Sequence, residues 1–301
     1  LTVHLPWHEG PLGVLGARKA EGRLPHALLI RVSSDSEADV CGLALGQVLL
    51  CESSTGCGVC PSCKRFAEGV HSDFLRLSPE QNSREIKVGQ VRELLAFGHQ
   101  TAQHSKGKCI LITPADRLNR NAANALLKFL EEPPAESYLI LMSGRSGGLP
   151  PTVQSRCQTT TIAKPCSAVA LEFLRDRGLS ESNIAEYLTL AGGDPLRVLA
   201  WESEGLVDEL HQISREFSSI IQGQSMARTD LLKRFERVPA SQLLEVLLVT
   251  MHEFARKSAE NNRVGNSIFR LHASVIELQR KHRASPNINI PLALEELCVN
   301  I

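Results

Sequence analysis

The sequence predicts an α/β domain built on a parallel sheet, followed by an all-helical region, and three observations carry that expectation. Up to about residue 163, short apolar runs alternate with amphipathic stretches, the pattern of a sheet covered by helices. Most of these runs are continuously apolar, as strands buried on both faces require. After Lys164 and Pro165 the β-branched runs vanish, and the rest of the chain reads almost entirely as helices.

Five strands follow from the apolar runs: HALLIRV (26–32), DFLRLS (73–78), KCILIT (108–113), SYLILMS (137–143) and QTTTI (158–162). Helices fall between them at about 37–50, 88–102 and 120–131. The last has Asn119 as N-cap, carries Ala122, Ala123, Leu126, Leu127 and Leu130 along one stripe, and stops at Pro133 and Pro134. Beyond the α/β part, a compact piece of two or three short helices holds a GGDP turn at 192–195, and longer amphipathic helices follow Gly205. The expected domains are therefore 1–163 (α/β), 164–204 (a small helical domain) and 205–301 (a helical C-terminal domain).

Composition excludes several classes. The chain has 301 residues, 33 basic and 33 acidic side chains, 43% apolar and 22% charged residues, which rules out disorder and collagen. No apolar run approaches the roughly 18 residues of a membrane span, and His4, Pro6, His8, Glu9 and Pro11 interrupt any signal peptide, so a cytoplasmic protein is expected. A formal net charge of zero lacks the global basic field of a nucleic-acid binder, so any DNA contact must be local or shared with partner chains.

Four of the nine cysteines crowd into thirteen residues, CESSTGCGVCPSC, with Cys51, Cys57, Cys60 and Cys63 spaced C-x5-C-x2-C-x2-C. That spacing suits a tetrahedral Zn²⁺, and Gly56 and Gly58 permit the tight turns that the knuckles need. Four thiolates leave no open coordination position, so the expected site is structural. The competing reading is two CxxC redox pairs or unliganded thiols. Cys41, Cys109, Cys157, Cys166 and Cys298 are scattered singletons and read as small apolar side chains.

The turn after the first core strand reads VSSDSEADV. A phosphate-binding loop would place GxxxxGK[ST] there; this turn has neither glycine nor lysine, and Asp35, Glu37 and Asp39 bring three negative charges. Yet HALLI, the cysteine cluster, GVHSDFLRL, VGQVRELL, CILITPADRLNRNAANALLKFLEEPP and LPPTVQSRC, in that order, resemble the clamp-loader branch of the AAA+ ATPases, most nearly its delta-prime subunits. The run at 121–134 and the triplet Ser155, Arg156, Cys157 are the most specific parts of the resemblance, which weakens after 205.

The resemblance implies an AAA+ α/β domain with an inserted zinc module at 51–63, then a helical lid and an all-α collar. Laid over that family's pattern, the Walker B acids fall on Thr113 and Pro114, so Mg²⁺ and water-activating carboxylates are both missing. The expectation is a chain that neither binds nor hydrolyses ATP. Ser143 and Arg197 fall near the sensor positions and are expected to serve hydrogen bonding and helix packing. Arg156, flanked by Ser155 and Cys157, is implied to act in trans as an arginine finger on a neighbouring subunit's nucleotide; the alternative is an arginine paired with a carboxylate of its own domain.

Implied partners are a gamma/tau-type ATPase subunit, a delta-type subunit and, through the assembly, the sliding clamp and primer-template DNA. The helical tail carries apolar stripes at Leu243, Leu244, Leu247, Leu248 and Met251, and at Leu292, Leu294, Leu297 and Ile301, which fit either a private bundle or a shared collar. The charged runs 228–237 and 279–284 read as solvated helix faces. Two other functions compete: an active AAA+ ATPase with displaced ligands, and a zinc-dependent nucleic-acid binder acting alone, for which two Trp and two Tyr offer little stacking surface.

Overall fold

A computed structural model of the chain describes residues 5–80, 83–105, 107–144, 148–179, 182–222, 228–260, 266–284 and 288–299. The chain forms two compact units, Leu1–Pro165 and Cys166–Ile301.

The first unit is organised by five parallel strands, β1 (Ala27–Arg31), β2 (Phe74–Leu77), β3 (Lys108–Ile112), β4 (Ser137–Ser143) and β5 (Gln158–Thr161), in the order β2-β3-β4-β1-β5. Alternate side chains divide the sheet between two cores. Leu29, Ile110, Ile112, Leu139 and Leu141 face one side, where Val91, Leu94, Ala122, Leu126, Phe129 and Leu130 cover them. Leu28, Ile30, Cys109, Leu111, Ile140 and Met142 face the other, against Leu12, Leu15, Cys41, Leu45 and Leu49. That double coverage is why β1, β3 and β4 read as nearly unbroken apolar runs, unlike the exposed edge strand β5.

The covering helices are α1 (Glu9–Ala20), α2 (Asp35–Leu50), α3 (Pro61–Ala67), α4 (Val88–Gly98), α5 (Arg120–Glu131) and the single turn α6 (Pro151–Gln154). Three of these, α1, α3 and the single turn α6, lie outside the helices expected from the sequence. Prolines do not interrupt them because each proline lies in a first turn, where no intrahelical N–H bond is lost: Pro11 three residues into α1, Pro61 at the start of α3. Asn119 caps α5 as anticipated, its Oδ1 accepting the Ala122 N–H at 2.9 Å. Helix α4 ends at Gly98, short of residue 102, because the following chain turns its amides onto Asp73.

In the second unit the helices are α7 (Ser167–Arg175), α8 (Ile184–Leu190), α9 (Pro195–Ser203), α10 (Val207–Ile221), α11 (Arg228–Phe235), α12 (Ala240–Glu260), α13 (Asn266–Ala284) and α14 (Ile290–Val299). The GGDP turn uses positive φ at Gly192 and Gly193, then caps α9 with Asp194, whose carboxylate accepts the Leu196 N–H at 3.0 Å. Val198, Trp201, Leu210, Ile213, Phe217, Leu243, Leu244, Leu247 and Met251 are buried within this unit. Leu294 is buried and Leu292 exposed, while the Leu297 and Ile301 side chains lie outside the described residues. In the two charged runs, Lys281 pairs with Glu277 one turn away at 2.8 Å on an exposed face, whereas Arg234 makes a part-buried pair with Glu209 of α10 at 2.8 Å, and Leu231 and Phe235 beside it are buried. Among the described residues no helix is long and apolar enough to cross a membrane.

Candidate functional site

Ligands of parallel α/β sheets sit beyond the carboxyl ends of the strands, so the turns after β1, β3 and β4 are where a nucleotide would be bound. The β1–α2 turn is already filled. Glu37, in the first turn of α2 and 1% exposed, folds its carboxylate back onto the turn. It accepts the Ser33 backbone N–H at 2.9 Å and the Ser33 hydroxyl, and on its other oxygen the Trp7 indole N–H at 2.8 Å. His8 Nε2 lies 3.1 Å from that second oxygen. Burial disfavours charge on Glu37, but hydrogen bonds from His8, Ser33 and Trp7 outweigh it and hold the carboxyl below its ordinary value. Thus the amide that would face a phosphate donates to the chain's own anion.

Neighbouring turns pack tightly on this one. A Cβ at Gly144, just past β4, would stand 2.5 Å from Asp35 Oδ1 and 2.7 Å from the Ser34 carbonyl carbon. After β3, Thr113 is buried, Pro114 follows, and the nearby Asp116 accepts the Ser143 hydroxyl at 2.8 Å. Arg197, in the second unit, pairs with Glu245 at 3.3 Å. Ser143 therefore makes a hydrogen bond, and Arg197 an ion pair from α9 to α12.

Arg156 follows α6 in a turn closed by its N–H onto the Val153 carbonyl at 3.1 Å. Its guanidinium reaches the last residue of α5: Nε and Nη2 donate to Glu131 Oε1 at 2.9 and 2.7 Å, and Nη1 donates to the Thr152 carbonyl at 3.0 Å. The arginine thus has a carboxylate partner in its own domain, the alternative weighed above, while its side chain stays 37% exposed. Ser155 is exposed beside it, and Cys157 packs half-buried on the adjoining core, its thiol pushed up to about 11 by burial. No sequence spacing links Glu131 to Arg156 or Trp7 to Glu37; only the packing of α5 on α6, and of the N-terminal segment on α2, brings them together.

Cys51, Cys57, Cys60 and Cys63 converge in space, their sulfurs all within 4.8 Å of one another. The Sγ separations from Cys51 to Cys57 and Cys60 are 3.6 and 3.9 Å. A tetrahedron of bonds about 2.3 Å long has edges of roughly 3.8 Å, so the cluster could hold a metal ion of that geometry. Cys51 ends α2 and Cys60 caps α3, with Ser54, Gly56 and Gly58 at positive φ turning the loop between them. Burial opposes ionisation of Cys51, but the Ser53 hydroxyl and the N–H groups of Cys57, Thr55 and Ser53 bring its thiol down to about 5. The Cys57 thiol is lowered by the N–H groups of Val59 and Cys60, whereas burial raises that of Cys63 to about 12.

The cysteine loop is fastened to its domain on two sides. Against α1, Gly16 packs so closely that an added Cβ would lie 2.2 Å from the Ser54 carbonyl oxygen. On the other side, the Asp73 N–H donates to His71 Nδ1 at 3.1 Å, so Nε2 carries the imidazole proton and donates to Ser62 at 2.8 Å. Ser62 in turn donates to the Leu50 carbonyl at 2.7 Å. Asp73 accepts N–H groups of Gln103, His104 and Ser105 at 2.7–2.9 Å, which outweigh burial and hold its carboxyl below the ordinary value.

The sequence profile of the family described as "DNA polymerase III, delta subunit" matches residues 8–165. The DNA polymerase III subunit delta' of Pseudomonas aeruginosa is 33% identical over 246 residues, 80% of this chain and 74% of that protein. Its counterpart in Haemophilus influenzae is 30% identical over 263 residues, 86% and 80% of the two chains. Among solved structures, a DNA polymerase III gamma-subunit-related protein of Thermotoga maritima superposes with a TM-score of 0.55 at 18% identity, covering 96% of this chain and 97% of that one, which makes it a likeness of fold.

Proposed function

The chain belongs to the DNA polymerase III delta-prime subunit family, and from that membership we propose that it is a non-hydrolysing AAA+ subunit of a clamp loader that lends Arg156 to the nucleotide site of a neighbouring subunit. The observation that carries this reading is Glu37: a buried carboxylate occupies the amide of the β1–α2 turn, so a triphosphate would meet a fixed negative charge in place of free N–H groups. Thr113 and Pro114 in place of paired acids leave Mg²⁺ without a carboxylate anchor there.

In this role Arg156 supplies charge to another chain's γ-phosphate, where a planar, permanently ionised fork suits the transition-state oxygens. Cys51, Cys57, Cys60 and Cys63 hold a structural Zn²⁺, which closes the loop and takes no part in chemistry. The gamma/tau-type ATPase is the neighbour that receives the arginine; a delta-type subunit, the sliding clamp and primer-template DNA are met through the assembly. Residues 164–204 serve as a lid and 205–301 as a collar. Nucleotide titration of the purified chain tests the passive half: no saturable ATP binding is expected up to millimolar concentration, and micromolar binding at the β1–α2 turn refutes it. Reconstituting the loader with Arg156→Ala tests the other half, with assembly retained and the clamp- and DNA-stimulated ATPase rate lowered; an unchanged rate refutes it.

A further inference from the structure

Glu131 occupies a poor place for a carboxylate. It is the last residue of α5 and is followed by Glu132, so two negative charges stand at the negative end of a helix dipole. Its contact explains it: Oε1 accepts both Nε–H and one Nη2–H of Arg156, taking the side edge of the guanidinium. The Thr152 carbonyl takes an Nη1–H from another direction, and Ser155 Oγ stands 3.5 Å from Nη1, at the outer limit of a hydrogen bond. A guanidinium carries five N–H bonds, of which Glu131 takes two and the Thr152 carbonyl one, so one N–H on Nη1 and one on Nη2 have no partner closer than 3.5 Å among the described residues. One N–H on each terminal nitrogen is what a bidentate contact with two oxygens of a phosphate needs.

We infer that Glu131 is a positioning residue for Arg156, holding the fork by its side edge so that its two remaining N–H groups are presented outward before the neighbouring subunit's nucleotide arrives. This rests on the arginine-finger reading above. An arginine has four side-chain torsions, and without an anchor it spreads over many rotamers of which few are aimed outward. The pair lies in solvent, with side chains 37% and 53% exposed, so its loss leaves the fold intact and changes only the aim.

The test uses the complete loader, reconstituted with the full-length chain and assayed for steady-state ATPase with clamp and primed DNA. Glu131→Ala is expected to lower kcat about three- to tenfold with KM for ATP unchanged, less than Arg156→Ala does, and the double variant to match Arg156→Ala alone. Glu131→Gln, whose amide oxygen still accepts from the guanidinium, is expected to restore kcat to within about twofold of wild type. Melting of the Glu131 variants should stay within about 1 °C, which separates aim from stability. If Arg156→Ala lowers kcat while Glu131→Ala leaves it unchanged or raises it, the positioning role is overturned and the finger survives. If Arg156→Ala itself leaves kcat unchanged, the finger reading falls, and this inference with it.

Discussion

Replacing Glu37 by Gln probes the filled β1–α2 turn with almost no change in volume. One carboxylate oxygen serves the Ser33 N–H and hydroxyl, the other the Trp7 indole N–H, with His8 beside it. A glutamine has one acceptor oxygen, so its NH₂ must confront a donor, either Ser33 or Trp7. Leaving one buried donor without an acceptor costs about 1–3 kcal/mol, and the surviving bonds lose their charge assistance, so a destabilisation of about 3 kcal/mol is expected. For a unit the size of Leu1–Pro165, that lowers the melting temperature by about 6–12 °C. The two tryptophans divide between the units, Trp7 in the first and Trp201 in the second, so Trp7 emission in a Trp201→Phe background follows the affected unit.

The pH dependence has a definite sign. Because the folded carboxyl lies below its ordinary value of 4.5, its stabilisation is complete above that pH and is lost as the pH falls through the folded value. The gap between wild type and variant should therefore close below about pH 4.5. A melting temperature within about 1 °C of wild type at pH 7, or a gap that persists undiminished to pH 3, would refute the account of the turn.

Other perturbations address the cysteine loop and its supports. Cys60→Ser should abolish stoichiometric zinc, read by metal analysis of the purified chain, and chelation of the wild type should release one ion per chain together with thiols newly reactive to a colorimetric reagent. Gly16→Ala would drive a methyl group into the Ser54 carbonyl; thermal melts should show a loss of about 1–3 kcal/mol, and a neutral result would mean that α1 and the loop separate freely. Asp73→Asn replaces a carboxylate that accepts three backbone amides and the Ser105 hydroxyl, and a loss of about 2–4 kcal/mol is expected in urea titrations at pH 7. Since the Asp73 carboxyl also sits below its ordinary value, that loss should shrink as the pH drops below about 4.

How much of this was legible beforehand depends on the range of the interaction. The five strands follow from local runs and agree with the structure to within one residue at each end; in β1, β3 and β4 burial on both faces leaves the continuous apolar signature, while the edge strand β5 is mostly exposed and is marked by its threonines. The Asn119 cap and the convergence of four cysteines were equally local, written in spacings of a few residues. Helix α1 escapes that reading: Pro11 counts there only against a signal peptide, whereas its first-turn position is compatible with a helix. Glu37 reads from the sequence as a negative charge in the turn, but its inward fold depends on Trp7 and His8 about thirty residues away. The partner of Arg156 lies 25 residues upstream on a different helix, with no periodicity to connect the two.

The buried line from Ser62 through His71 to Asp73 carries a mechanical corollary. Whatever tightens or slackens the thiol cage also tugs on the residue that gathers the amides of 103–105, at the far rim of the sheet. Deuterium uptake at those three amides should thus quicken when zinc is stripped, making a remote peptide a gauge of occupancy in the cage.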